Sequence, residues 1–303
     1  MLKLGKSGSW ERHHLNKKLS DIIVKIFVYI LLIQFVFVFV YPYLSMLVRS
    51  LQHDVDFRNI NRTWVLTGFN FQNFSLALSG LDYWSTLLNN LWLVGLSTIG
   101  TVFSCSLAGY GLARFKFPGR NIIFAIVLFS IMMPDVLLMM PMTIQYLGWG
   151  WMGSMRTIIV PSFFGFGLRA GLSIYIFRQF FIGLPASYEE AARIEGCSSL
   201  GVFYRVMLPI SKTSILVVST LSIVWHWNDF VRPRAFLSPS NWTLTQRLYA
   251  LPSYLFFATS ATGETISPVQ LAAAALVTLP ILVIFAFIQK QFMAGVEFTG
   301  LAN

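Results

Sequence analysis

Charge is what this 303-residue sequence has least of: Asp, Glu, Lys and Arg together make 11 % of it, against about 25 % in soluble globular chains. With 56 % hydrophobic residues and a mean hydropathy of +0.67, that deficit excludes an ordinary soluble domain. Cysteine is also scarce. Cys105 lies in an apolar stretch and Cys197 in a polar one, so no disulfide framework is expected. No Cys/His cluster has metal spacing, and no Gly-x-Ser-x-Gly elbow is present. Gly5-Lys6-Ser7 ends like a phosphate loop, but the earlier glycine that such a loop needs would precede residue 1. The expectation is therefore no catalytic residue, no metal ligand and no cofactor in this chain. There is no repeat of fixed period and no low-complexity tail.

What is there is a series of apolar stretches. Six are long enough to cross a bilayer, at roughly 22–48, 87–112, 122–147, 157–180, 212–231 and 269–289, given about 20 residues per crossing. The fold class predicted is an all-α polytopic membrane protein with six transmembrane helices. The fifth stretch has a polar far end in Trp225, His226, Trp227, Asn228 and Asp229. Basic residues concentrate on one side of these spans: Lys3, Lys6, Arg12, Lys17, Lys18 and Lys25, then Arg114, Lys116 and Arg120, then Arg178, Arg193, Arg205 and Lys212, then Lys290. The positive-inside rule puts that side, and both termini, in the cytoplasm. The net charge of +10 is mainly this signal. It is spread among spans rather than gathered on one domain, so nucleic acid is not an expected partner. The first stretch is too long for a cleaved signal and is expected to stay as an anchor in membrane lipid.

The polar segment 190–209, EAARIEGCSSLGVFYRVMLP, stands out because a membrane protein rarely keeps a long ordered loop unless something docks on it. Ser187 and Glu190 have capping-box spacing, which predicts a short helix starting near Tyr188 and ending at Gly196, in a left-handed turn. A second helix is predicted from about Ser199 to just before Pro209, with Leu200, Phe203, Tyr204 and Met207 on one face.

Glu190, Ala191, Ala192, Gly196, Phe203, Leu208 and Pro209 fall where the matching residues stand in the loop by which permeases of bacterial ABC importers engage their ATPases, and the segment resembles that loop. Ala108–Gly119 (AGYGLARFKFPG), Phe177–Phe181 (FRQFF), Trp227–Phe230 (WNDF) and the stretch from Pro280 to Gly295 resemble segments of carbohydrate importers of the maltose type, in the same order. The match is to their second, six-span permease, over roughly residues 86–300. Glu195 departs from the usual aspartate, Thr213 replaces a common proline, and the usual late lysine of the tail is missing. The resemblance implies an ABC-importer permease fold without catalytic activity. It implies a cytoplasmic segment 1–21, a first helix and outer loop over 22–85, and a five-helix core over 86–292. That core contains an ATPase-docking loop at 184–212, and a cytoplasmic tail follows at 293–303. The implied partners are a homologous second permease, an ATPase dimer carrying ATP and Mg, an extracellular solute-binding protein and a sugar. The implied location is a bacterial inner membrane.

Ionisable residues inside spans mark candidate function. Arg169 stands among Gly165, Gly167 and Gly171 in the fourth stretch and is expected to face the interior of the complex. Trp225, Trp227, Asn228 and Asp229 supply aromatic faces and polar groups of the kind that bind sugars. Asp135, after Pro134, and His226 read more simply as structural. An importer for a non-sugar solute is the alternative within the class. An ion-coupled secondary transporter would need an acidic relay or inverted repeats, and neither is evident. A membrane enzyme would need a catalytic constellation, which is also missing.

Overall fold

The computed structural model describes the backbone of residues 7–59, 62–259 and 267–300, and side-chain surroundings for 21–59, 62–253 and 267–289. The extreme ends, with Lys3 and Lys6, lie outside the described residues. Among those described the fold is all-helical, with one isolated bridge between Gly153 and Leu237. Two compact units are distinguished, 1–74 with 266–275 and 75–265 with 276–303.

The first unit holds α1 (Ser7–Ser50) and α2 (Asp54–Phe57). Residues 21–44 of α1 are exposed all round within the chain, as expected of a helix whose surroundings are apolar rather than aqueous. Beyond α1 the chain is tied by polar groups. Asn73 donates to the carbonyls of Ser50 and Gln52 at 2.8 and 2.9 Å. Gln52 donates to the carbonyl of Arg62 at 2.7 Å. Asp56 accepts from Thr67 and, at 2.7 Å, from Arg62. These two contacts, Thr67 first, hold the Asp56 carboxyl below the usual carboxylate range.

The second unit is built on α4 (Tyr83–Arg114), which follows the short α3 (Gln72–Gly80). Next come α5 (Arg120–Met132), α6 (Asp135–Gly148), α7 (Arg156–Ser162) and α8 (Ala170–Gly183). Small residues let these helices touch. A Cβ on Gly109 would stand 2.7 Å from Phe177, and one on Gly100 would stand 2.7 Å from Phe163. Buried hydroxyls of α4 bond across the packing: Ser104 donates to the carbonyl of Ser162 at 2.7 Å, and Thr98 donates to Ser222 at 3.1 Å. In an apolar surround, such small-residue contacts and interhelical hydrogen bonds replace the hydrophobic effect as the source of association.

The apolar stretches expected to cross the membrane are not all continuous helices. Among the described residues three helices are individually long and apolar enough to cross a membrane: Asp21–Ser50, Tyr83–Arg114 and Pro268–Gln289, the last within α15 (Pro268–Gly300). The third stretch is bent by 103° between α5 and α6. The cause is Pro134, which lacks an N–H and forces an extended residue before it; Met133 is extended, with ψ 125°. The fourth stretch is divided into α7 and α8 by residues 163–169, where Gly165 and Arg169 have positive φ. The fifth is α12 (Lys212–Asn228), bent by 77° from the loop helix before it. Counting each bent pair as one crossing gives up to five. The polar end of the fifth stretch continues into α13 (Val231–Phe236) and α14 (Leu244–Thr259).

Candidate functional site: the polar loop and the intramembrane cavity

The polar loop forms two helices, with differences from the sequence reading. The first is α9 (Ser187–Ile194). Its capping box does not form. The N–H groups of Glu189 and Glu190 both donate to the carbonyl of Ala186, at 3.0 and 3.1 Å. That starts the helix one residue early and leaves the Ser187 hydroxyl without a donor to accept from. The side-chain cap is found on the second helix, where Ser198 accepts from the Gly201 N–H at 3.2 Å. Gly196 takes the expected left-handed turn, with φ 82°.

The second helix does not stop before Pro209. It runs as α10 (Ser199–Val202), a π-helical turn (Phe203–Met207) and α11 (Leu208–Ile210). The Leu208 N–H reaches back five residues, to the carbonyl of Phe203. Pro209 has no N–H for the carbonyl four residues before it, and the wider turn absorbs that loss. The break comes at Ser211. The expected apolar face is also split. Phe203 and Met207 are buried with Val202, whereas Leu200 and Tyr204 are exposed.

Of the residues assigned to docking, Ala192 and Phe203 are buried in a core with Tyr110, Phe177 and Phe181. Leu208 is half-buried, and Glu190, Ala191, Gly196 and Pro209 are exposed. Around them Tyr188, Leu200 and Tyr204 are exposed, and Ile194 is 87 % exposed. Four large apolar side chains are thus exposed on an otherwise polar loop.

Sequence reasoning missed the ion pair beneath this surface. Glu189, not Glu190, turns inward and meets Arg114 of α4 at 3.1 Å, with both side chains largely hidden. Arg114 also donates to the carbonyl of Leu184 at 2.6 Å. Arg178 donates to the carbonyl of Leu112 at 3.3 Å and lies 3.7 Å over the Phe124 ring. The ends of α4 and α8, the start of α5 and the loop are thus joined by two arginines.

The residues expected to bind sugar do not form one cluster. Trp227 is buried, and its carbonyl accepts from Thr245 at 3.2 Å. Asn228 is exposed but donates back to the carbonyl of Val224 at 2.8 Å. Asp229 accepts from the N–H groups of Val231 and Arg232 at 3.1 and 3.3 Å and so caps α13. Only Arg169 and Trp225 come together, with the guanidinium 5.2 Å from the ring centroid. Arg169 lies in no helix. It precedes α8 with φ 54° and lines a cavity of ≈ 350 Å³. Asp135 also lines it, paired with Arg232 at 2.9 Å. That partner is 97 residues away in sequence, so no local pattern signals it.

The family model described as "Binding-protein-dependent transport system inner membrane component" matches residues 100–297. The arabinooligosaccharides transport system permease protein AraQ of Bacillus subtilis is 30 % identical over 76 % of this chain and 78 % of its own length. The polygalacturonan/rhamnogalacturonan transport system permease protein YtcP of the same organism is 24 % identical over 91 % of this chain and 97 % of its own. The sn-glycerol-3-phosphate transport system permease protein UgpE of Pectobacterium atrosepticum is 28 % identical over 69 % and 71 %. A chain in the crystal structure of a bacterial ABC transporter importing the acidic polysaccharide alginate superposes with TM-score 0.74 at 21 % identity, covering 90 % of this chain and 98 % of that one.

Proposed function

This chain belongs to the family of binding-protein-dependent transport system inner membrane components, a non-catalytic permease of an ABC importer, and we propose that it carries a sugar or oligosaccharide. In this reading it forms half of the translocation path beside a homologous permease. Both termini and the loop 184–212 face the cytoplasm, where an ATPase dimer binds ATP and Mg. An extracellular solute-binding protein delivers the sugar. The observation that carries the coupling role is the exposure of the apolar side chains Tyr188, Ile194, Leu200 and Tyr204 on either side of the Gly196 turn. Water-facing apolar groups on an ordered loop are stabilised by a partner that covers them. In this reading Glu190, exposed and without an ion pair among the described residues, meets a basic group of the ATPase. The names of the relatives support a saccharide, while the glycerol-3-phosphate relative supports a second reading, a small anionic solute.

The test is purification of the tagged chain from its own membranes. An ATPase subunit is expected to co-purify and to be lost from Ile194→Asp. Retention of the ATPase by that variant removes the loop from the contact. Uptake of radiolabelled oligosaccharides by the reconstituted importer, against glycerol phosphate, decides between the two solutes.

A further inference from the structure

α5 and α8 run antiparallel. At one end Arg178 of α8 covers Phe124 of α5. At the other, a Cβ on Gly171 would stand 2.5 Å from the Ser130 hydroxyl. The helices have 13 and 14 residues, about 20 Å at 1.5 Å per residue. The cavity opens where both stop, between the Pro134 break and the glycine-rich break. That depth, counted from the polar loop, lies within a hydrocarbon core of roughly 30 Å. Its volume of ≈ 350 Å³ falls at the small end of ligand sites, which span roughly 300–1,000 Å³.

Three charged side chains line it, and two neutralise each other: Arg232 and Asp135. Arg169 is exposed and has no ion pair among the described residues. Its ring partner Trp225 offers a π face and no countercharge. The backbone at Arg169 is strained as well. Its left-handed φ of 54° is one that glycine adopts without cost, and glycines stand at 165, 167 and 171. An arginine at this strained position points to a role for its side chain. α8 begins at the same wall, and its N-terminal end adds partial positive charge.

We propose that this cavity is a subsite for an anionic saccharide, and that Arg169 receives the carboxylate of a uronic-acid unit. This rests on the reading of the chain as a sugar-importer permease. A guanidinium fork matches a carboxylate in two parallel hydrogen bonds, and Trp225 holds the fork flat. A neutral sugar has no use for an uncompensated cation in an apolar surround.

The experiment uses the complete importer in proteoliposomes, with trigalacturonate and its methyl ester as probes. Arg169→Gly removes the charge while suiting the backbone, so loss of function does not follow from misfolding. Arg169→Lys keeps the charge without the fork. Arg169→Gly is expected to lower uptake of the acid roughly ten- to hundred-fold and to leave the ester within about twofold, with Arg169→Lys between. Equal uptake of both probes by wild type and Arg169→Gly overturns this inference and leaves the sugar reading intact. Uptake of neither probe by wild type overturns this inference, and the sugar reading then stands or falls on the oligosaccharide uptake described above. Uptake of glycerol phosphate but not of the uronate overturns the carboxylate class. Loss of the second permease from purified Arg169→Gly makes Arg169 a subunit contact and overturns the site.

Discussion

The polar loop and the cavity lined by Arg169 solve one problem in opposite ways. Each ties one acid to one arginine, Glu189 to Arg114 and Asp135 to Arg232. Each also leaves a neighbouring charge without an ion pair among the described residues, Glu190 in the loop and Arg169 at the cavity. In the loop the unpaired charge stands among exposed apolar side chains on a regular helix. At the cavity it stands on a strained backbone between two broken helices. Water or a protein partner can take up the first. An unpaired charge at mid-span costs roughly 2.5–3.5 kcal/mol, which a polar occupant, a partner subunit or an aqueous path offsets.

The sharpest way to break the comparison is at the loop turn. A Cβ on Gly196 would meet nothing within 4 Å, so substitution there acts through the backbone alone. A β-branched residue at φ 82° costs about 1–3 kcal/mol locally. Gly196→Val is therefore expected to abolish substrate-stimulated ATPase activity in the reconstituted importer while membrane insertion stays normal. Gly196→Asn, which tolerates the left-handed region, should keep most of it. Stimulation in the valine variant equal to wild type would show that the angle between α9 and α10 is not what the partner reads.

The inward and outward glutamates separate packing from contact. Breaking a buried ion pair costs 3–5 kcal/mol and an exposed one at most about 1. The Glu189–Arg114 pair is mostly covered, so Glu189→Gln is expected to lower stability by about 1–3 kcal/mol. A thermal-denaturation shift of the purified complex measures it. Glu190→Gln should leave that transition in place and weaken ATPase binding instead. The reverse pattern would assign the docking charge to Glu189.

How much was legible follows the same division. Gly196 and the presence of two loop helices were readable because turn chemistry and helix periodicity are local, but the single apolar face was not, since Phe203 and Met207 are buried while Leu200 and Tyr204 are exposed. The inward turn of Glu189 was not, because its partner lies on α4. The breaks within the third and fourth stretches were not legible. Hydropathy counts apolar residues, and it is indifferent to the lost N–H at Pro134 and to the left-handed turns at Gly165 and Arg169. Trp227, Asn228 and Asp229 looked like a sugar site by residue type. The fold uses the first as core, the second on its own helix and the third as a cap, whereas Asp135, read as structural, belongs to the cavity wall.

The smallest expected effect tests the cap. Ser187 has capping-box spacing to Glu190, yet the Glu190 N–H is taken by the carbonyl of Ala186. Ser187→Ala thus removes no hydrogen bond and should change stability by less than about 0.5 kcal/mol, the range of ordinary surface substitutions. Ser198 does accept from the Gly201 N–H, and Ser198→Ala should cost about 1 kcal/mol. Local opening of α10 is the readout, by amide exchange at Gly201 and Val202 in the assembled complex. Faster exchange in the Ser198 variant, with none in the Ser187 variant, is the expected result. If Ser187→Ala instead raises exchange at Glu190, the capping box forms in the assembled importer. The start of α9 would then move by one residue when the partner docks, and the loop would not be the preformed surface described above.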